Sequence, residues 1–200
     1  VRRVKLGDLV CPSFFQAWIA GEPTGAGLAS SLGGPADGCA QDYIRLSAEG
    51  VSLAPKNLSA EEAATLPCAA LTAWRALVVE GGLKPGDTVL AQGTGGVSIF
   101  ALQFAKAAGA RVIITSSSDE KLERARALGA DATINYKKTP DWATEARKLT
   151  GGRGVDHVVE VGGADTLAQS IVAARLGGHV AVIGLLSGMV KDVNVAAIFS

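Results

Sequence analysis

The sequence has no excess of charge of either sign: Lys plus Arg and Asp plus Glu number 19 each. No basic block stands out, which argues against nucleic-acid binding. Aromatics are scarce at 5%, and Trp18, Trp74 and Trp142 are too dispersed to stack successive bases. No apolar run approaches the roughly 20 residues of a membrane helix, so no membrane partner is expected. No secretory leader is visible. The chain opens Val1-Arg2-Arg3 without Met, as a fragment or processed piece would. Cys11, Cys39 and Cys68 are odd in number, widely spaced and free of any C-x-x-C. That argues against a disulfide framework and against a clustered-cysteine zinc site, and a reducing cytoplasm is the expected location. No G-x-x-x-x-G-K-[ST] occurs, which removes the P-loop NTPases. The two histidines, His157 and His179, lie in strand-like runs. Neither belongs to a nucleophile motif such as G-x-S-x-G.

What the sequence has is glycine, 25 residues in 200, at informative places. Gly93-Thr94-Gly95-Gly96-Val97-Ser98 follows the strand-like run Thr88–Gln92 and opens a helix-like run from Val97 to Ala108. A glycine turn between a buried strand and a helix N-terminus gathers unpaired N–H groups and the positive end of the helix dipole at one spot. Glycines let that backbone approach a pyrophosphate closely. The pattern therefore predicts a dinucleotide ligand. Ser98 stands where the fingerprint has a third Gly or Ala. That position serves helix–strand packing, so a serine is expected to open the packing slightly and leave the phosphate contacts intact.

From Gly82 onward strands and helices alternate. Strands are expected at Thr88–Gln92, Arg111–Thr115, Ala132–Asn135, Val155–Val161 and His179–Gly184. Ser117-Ser118-Asp119-Glu120 reads as a capping box with Ser117 as the cap. Thr139-Pro140 reads as an N-cap and N1 proline, and Ala164–Leu176 as a helix. The order predicts an α/β fold, a doubly wound parallel sheet of Rossmann type, in which the first and fourth strands meet at the switch point. Gly93 and Gly162 then face one crevice. The chain stops at Ile198-Phe199-Ser200, with the usual last strand missing. Residues 1–67 look β-rich, with strand-like runs at Asp8–Val10 and Gln41–Ile44. A capping box at Ser59–Glu62 starts a helix that Pro67 breaks or kinks. The expected division is 1–67, the end of a β-rich domain, and 68–200, a dinucleotide-binding domain.

An NAD-type site places Asp or Glu about 20 residues past the glycine turn, on the adenosine ribose. Counted from Gly96 that position is Ser116, within Thr115-Ser116-Ser117-Ser118. A carboxylate there would repel a 2′-phosphate, whereas hydroxyls donate to it. Lys121 lies one turn further on. NADP(H) is favoured, with NAD possible, although Asp119 and Glu120 weaken the positive field and the serines also serve to cap a helix.

With these residues placed, the chain resembles the medium-chain dehydrogenase/reductase superfamily, in its zinc-type alcohol dehydrogenase-like and quinone oxidoreductase-like branch. The resemblance is carried by Gly7-Asp8-Leu9-Val10, Ala63–Trp74, the turn Gly93–Ser98, Ile134-Asn135-Tyr136 and Val155–Gly163. It implies a truncated GroES-like catalytic domain followed by a Rossmann domain. It implies hydride transfer between a nicotinamide ring and a small carbonyl, alcohol or activated alkene, and an oligomeric parent protein. Carried onto this sequence, it places Gly95, Gly96 and Val97 on the pyrophosphate and Ser116, Lys121 and Tyr136 near the 2′-phosphate; Ser117 joins the cofactor-binding residues through its place in the hydroxyl run. Thr72 falls on a cofactor-facing helix, and Gly162, Gly163 and Gly184 fall along the nicotinamide half. Tyr136 read alone is equally a surface tyrosine, and Gly184 a strand-exit turn. Cys68 matches a catalytic zinc ligand of the zinc enzymes, but one ligand does not specify a metal site, and no structural-zinc cysteine cluster follows Gly7–Val10. Zinc is not expected, no metal ligand is assigned, and no acid–base residue is identifiable. A zinc-dependent alcohol dehydrogenase and a non-catalytic NADP(H)-binding module are the competing readings.

Overall fold

The structure, a computed structural model, describes residues 3–189 and 191–198. Val1, Arg2, Phe199 and Ser200, on which the readings of the chain ends rest, lie outside the described residues. The chain divides into two compact units, Val1–Leu71 and Thr72–Ser200. Among the described residues no helix is long and apolar enough to cross a membrane.

In the first unit β1 (Val10–Pro12) pairs antiparallel with β2 (Val51–Leu53), Cys11 opposite Ser52. The strand expected at Gln41–Ile44 does not form; those residues are bends and irregular chain. Nothing in that run alternates apolar with polar, and Ile44 and Tyr43 both stay exposed. The stretch around Gly25 holds the short helix α1 (Gly25–Leu28), capped by the Thr24 hydroxyl on the Gly27 N–H. Helix α2 (Ala60–Ala63) opens with a full capping box: Ser59 accepts from the Glu62 N–H and Glu62 accepts from the Ser59 N–H. Pro67 does not end the helical stretch. It falls in the first turn of a π-type run, Leu66–Ala70, where its missing N–H has no intrahelical acceptor to lose.

The second unit begins with α3 (Leu71–Trp74, whose first residue closes the first unit) and a π-type run, Arg75–Glu80. It continues with the expected alternation: β3 (Thr88–Gln92), α4 (Gly96–Ala107), β4 (Arg111–Ser116), α5 (Asp119–Ala127), β5 (Ala132–Asn135), α6 (Trp142–Leu149), β6 (Val155–Glu160), α7 (Leu167–Ala173) and β7 (Ala174–Val182). The sheet order is β5-β4-β3-β6-β7, all parallel. This is the doubly wound arrangement, with β3 and β6 adjacent at the switch point.

The central strands β3, β4 and β6 are buried on both faces, whereas the edge strands β5 and β7 are only partly covered. Val89, Ala91, Val112, Ile114 and Val159 pack with Ala101, Leu102, Leu122 and Ala125 of α4 and α5. Leu90, Ile113, Val155 and Val158 pack with Trp142, Ala143 and Ala146 of α6. Val155 and Val158 share a face despite their odd spacing, because a register shift against β7 lies between Val155 and His157.

Several local boundaries differ from the sequence reading, among them the fifth strand, expected at His179–Gly184 and found as Ala174–Val182. Ser118, not Ser117, caps α5 through the Lys121 N–H. Asp141, not Thr139, caps α6 through the Thr144 N–H; the Thr139 N–H instead closes the turn after β5 on the Asn135 carbonyl at 2.8 Å. The helix expected over Ala164–Leu176 is α7 alone. Ala174 lies opposite Val155 in the sheet, so pairing with β6 draws Ala174–Leu176 into β7 against their helix propensity.

Candidate active site

The β3–α4 turn has the geometry of a phosphate receptor. Gly93 has φ +71, which a side chain would strain, and a Cβ built at Gly93 or Gly95 meets nothing within 4 Å. Gly95 is the N-cap of α4 and no side chain caps the helix. The first amides of a 12-residue helix therefore have no side-chain partner, and the space beside Gly93 and Gly95 is open. Ser98 does not loosen the junction. It is buried, and its hydroxyl donates to the Gln92 carbonyl at 2.5 Å. The hydroxyl clamps helix to strand where glycine would leave only close packing.

A cleft of about 450 Å³ opens at the C-terminal ends of the strands, lined in part by Gln92, Gly93, Thr115, Tyr136, Gly162 and Thr166. Its size and its place at the switch point suit a small-molecule ligand. Of the residues singled out from sequence, Tyr136 and Gly162 line it directly. Tyr136 is 41% exposed just beyond β5. Gly95, Gly96 and Val97 form the helix start beside Gly93.

Ser116 ends β4 with 4% exposure, and its hydroxyl accepts the Ser118 N–H at 3.3 Å. Ser117 is half-buried in the loop, Lys121 is exposed on α5, and Thr72 is half-buried on α3. The acidity of this corner is met locally. Asp119 accepts from Lys138 Nζ at 2.5 Å and from Asn135 Nδ2 at 2.7 Å, and these bonds, Lys138 first, hold its carboxyl below the ordinary range.

Gly162 and Gly163 form the β6–α7 turn. A Cβ on Gly163, at φ +90, would meet the Gly188 carbonyl and Leu185 Cα at 2.9 Å. A Cβ on Gly184 would run into the Val161 carbonyl. Both absences of a side chain are taken up by close approach of the Val161–Gly163 turn and the segment after β7, and neither glycine lines the cleft itself.

Beneath the two glycine turns lies a buried polar network that the sequence reading missed. Gln92 ends β3 and Glu160 ends β6, one step beyond the paired Ala91 and Val159. Glu160 is fully buried, and its carboxylate takes hydrogen bonds from the Gly162 N–H, the Gly163 N–H, Thr166, Ser170 and Gln92. The available signal was a polar residue closing each of two strands within two positions of a glycine turn.

In the first unit Cys11, Cys39 and Cys68, far apart in sequence, line one cavity of about 460 Å³. The Cys11 thiol donates to the Ala63 carbonyl at 3.5 Å, and Cys39 and Cys68 are exposed. Among the described residues no group of three or more His, Cys, Asp or Glu could hold a metal ion.

A doubly wound sheet with an uncapped glycine turn at its switch point is the architecture of a dinucleotide-binding Rossmann domain. The zinc-binding dehydrogenase family model matches residues 96–200. A zinc-type alcohol dehydrogenase-like protein of Schizosaccharomyces pombe is 54% identical over 194 residues, 96% of this chain and 56% of that protein. A putative alcohol dehydrogenase from Sinorhizobium meliloti superposes over the whole chain with a TM-score of 0.92 and 46% identity, covering 59% of that structure. An NAD-dependent alcohol dehydrogenase covers 84% of this chain, 49% of its own, with a TM-score of 0.78 and 45% identity. A mycobacterial protein complexed with NADPH covers 75% of this chain, 46% of its own, at 0.69 and 34%. The chain belongs to the zinc-type alcohol dehydrogenase-like branch of the medium-chain dehydrogenases/reductases, and it spans about half the length of the curated relatives it matches.

Proposed function

We propose that the protein is an NADP(H)-dependent oxidoreductase that moves a hydride between nicotinamide and a small carbonyl, alcohol or activated alkene. The observation that carries this reading is the bare N-terminus of α4, without a side-chain cap and unobstructed at Gly93 and Gly95. The cofactor supplies the hydride; the protein supplies binding, orientation and electrostatics. In this reading Gly95, Gly96 and Val97 receive the pyrophosphate through backbone N–H groups. The β6–α7 turn walls the nicotinamide half, and Tyr136 closes the cleft from the β5 side.

The preference for NADP(H) rests on residue 116. The end of β4 carries Ser116 and not a carboxylate, so nothing there repels a 2′-phosphate. The pairing of Asp119 with Lys138 and Asn135 removes part of the opposing field. Relatives of both kinds align with this chain, one NAD-dependent and one complexed with NADPH.

Titration of the intact protein with NADPH and NADH tests the reading. NADPH is expected to bind at least about tenfold more tightly, since a hydrogen bond to a charged group contributes roughly 1.5–3 kcal/mol. Ser116→Asp should lower NADPH affinity by about the same factor while sparing NADH. Equal affinities in the parent protein, or tighter NADH, would overturn the NADP assignment. Absence of saturable binding by either nucleotide would overturn the oxidoreductase reading.

A further inference from the structure

The network under the glycine turns has a fixed polarity. Backbone N–H groups only donate, so the two that face the Gln92 side chain, Val161 N–H and Gly162 N–H at 3.2 Å each, must meet its Oε1. The Gln92 Nε2 then points the other way and donates to Glu160 Oε2 and to the Ser170 hydroxyl, both at 2.7 Å. The Ser170 hydroxyl in turn donates a hydrogen bond to Glu160 Oε2. The other carboxylate oxygen, Oε1, accepts from the Gly162 N–H at 2.7 Å, the Gly163 N–H at 2.9 Å and the Thr166 hydroxyl at 2.6 Å. Both Gln92 protons and both Glu160 oxygens are thus used. No ion pair reaches Glu160 among the described residues.

This arrangement is more than local satisfaction of buried groups. Gln92 follows β3 directly into the phosphate turn, and its carbonyl is held by Ser98 of α4. Its side chain grips the backbone of the opposite turn. Gln92, Gly162 and Thr166 also line the cleft. Two side chains therefore fix, across the switch point, the position of the Gly162–Gly163 turn relative to the start of α4. An extended dinucleotide spans that distance, and misplacement of one wall separates its two half-sites.

We propose that Gln92 and Glu160 form a positioning pair whose donor–acceptor polarity, and not merely its bulk, sets affinity for the dinucleotide. The proposal rests on the nucleotide reading above. It makes a reciprocal prediction. In Gln92→Glu two carboxylates face each other in a buried site. In Glu160→Gln two amide N–H₂ groups compete for one gap. In the double exchange the polarity is whole again. The carboxylate at position 92 accepts from Val161, Gly162 and Ser170, and the amide at position 160 donates to it. The amide oxygen at 160 still takes Gly162, Gly163 and Thr166.

The test is Kd for NADPH by fluorescence titration, with KM and kcat and the unfolding temperature, on the intact protein and the three variants. Each single exchange is expected to weaken NADPH binding about tenfold or more, the scale of a disrupted charged hydrogen bond. The double exchange is expected to return to within about threefold of the parent, as coupled neighbours do in a mutant cycle. KM for the nucleotide should move with Kd. A purely structural role would lower the unfolding temperature and leave the Kd of the folded protein unchanged, and that result overturns the proposal. So does a double exchange no better than the weaker single, or one that fails to fold. If the singles do not fold, the double exchange alone decides by the same threefold criterion. A parent protein that binds no NADPH sinks the functional reading; a parent that binds, with no rescue, sinks only the positioning pair.

Discussion

At the scale of single residues, a second buried carboxylate lies at the opposite end of the sheet from the cleft. Asp156 is 2% exposed and ties three strands together. It accepts from the Thr88 N–H at 2.9 Å, from Arg153 at 2.9 and 2.6 Å, and from Arg175 Nε at 2.6 Å. Burial alone would raise its carboxyl. Arg153, Arg175 and the Thr88 N–H outweigh burial and hold it well below the usual carboxylate range. A carboxyl depressed in the folded state contributes stability above its unfolded value of about 4, and that contribution fades as pH falls toward the folded value. Asp156→Asn is therefore expected to cost about 3 kcal/mol at pH 7, the low end for breaking a buried pair because both arginines keep some contact with water. Urea denaturation across pH checks it: the gap between parent and variant should begin to narrow below about pH 4 and go on shrinking as the pH falls further. A gap independent of pH would show that packing, not charge, holds this corner.

At the scale of elements, β6 and β7 show how far sequence reaches. Strand β3 was legible because a strand buried on both faces has little freedom in composition, and the edge strand β5 and the order of the sheet were legible from the glycines that punctuate the alternation. The end of α7 was not legible. Ala174–Leu176 has helical propensity, and only the partner strand draws it into the sheet. The Gln92–Glu160 pair was illegible for the same reason, since the two residues are neighbours only once β3 and β6 are paired. The caps failed by a residue or two because Ser117, Ser118, Thr139 and Asp141 are all competent caps, and backbone geometry selects among them. The glycine turn was legible because its conformational demand is local. The β6–β7 pairing also places His157 opposite His179, ring centroids 6.0 Å apart. Burial, then the neighbouring His157, pulls the His179 imidazole below its ordinary value, with Glu80 opposing. A base depressed in the folded state leaves stability intact above its unfolded value near 6.5, and stability falls as pH drops below that. An NMR titration should place the His179 midpoint below about 6.5, and His179→Phe should flatten this part of the stability profile. A midpoint at or above that value would reverse the expected sign.

At the scale of the whole molecule, the proposed nucleotide site lies entirely within Thr72–Ser200, since every element that forms it belongs to that unit. Ligand binding and folding are then linked through that unit. A ligand that binds only the folded state at a hundred times its Kd adds about 2.7 kcal/mol. For a chain of this size, each kcal/mol raises the unfolding temperature by roughly 2–4 °C. Saturating NADPH should therefore raise it by roughly 5–10 °C. Amide exchange adds what the temperature cannot, the place where the stabilisation acts. The N–H groups of Gly95–Val97 have no side-chain cap without ligand and should slow when phosphate oxygens accept from them. The Gly162 and Gly163 N–H groups are already held by Glu160 and should change less. This contrast separates phosphate capture at α4 from a general tightening of the unit, which would slow both turns alike. Slowing confined to the β6–α7 turn, with Gly95–Val97 unchanged, would place the ligand elsewhere than the start of α4.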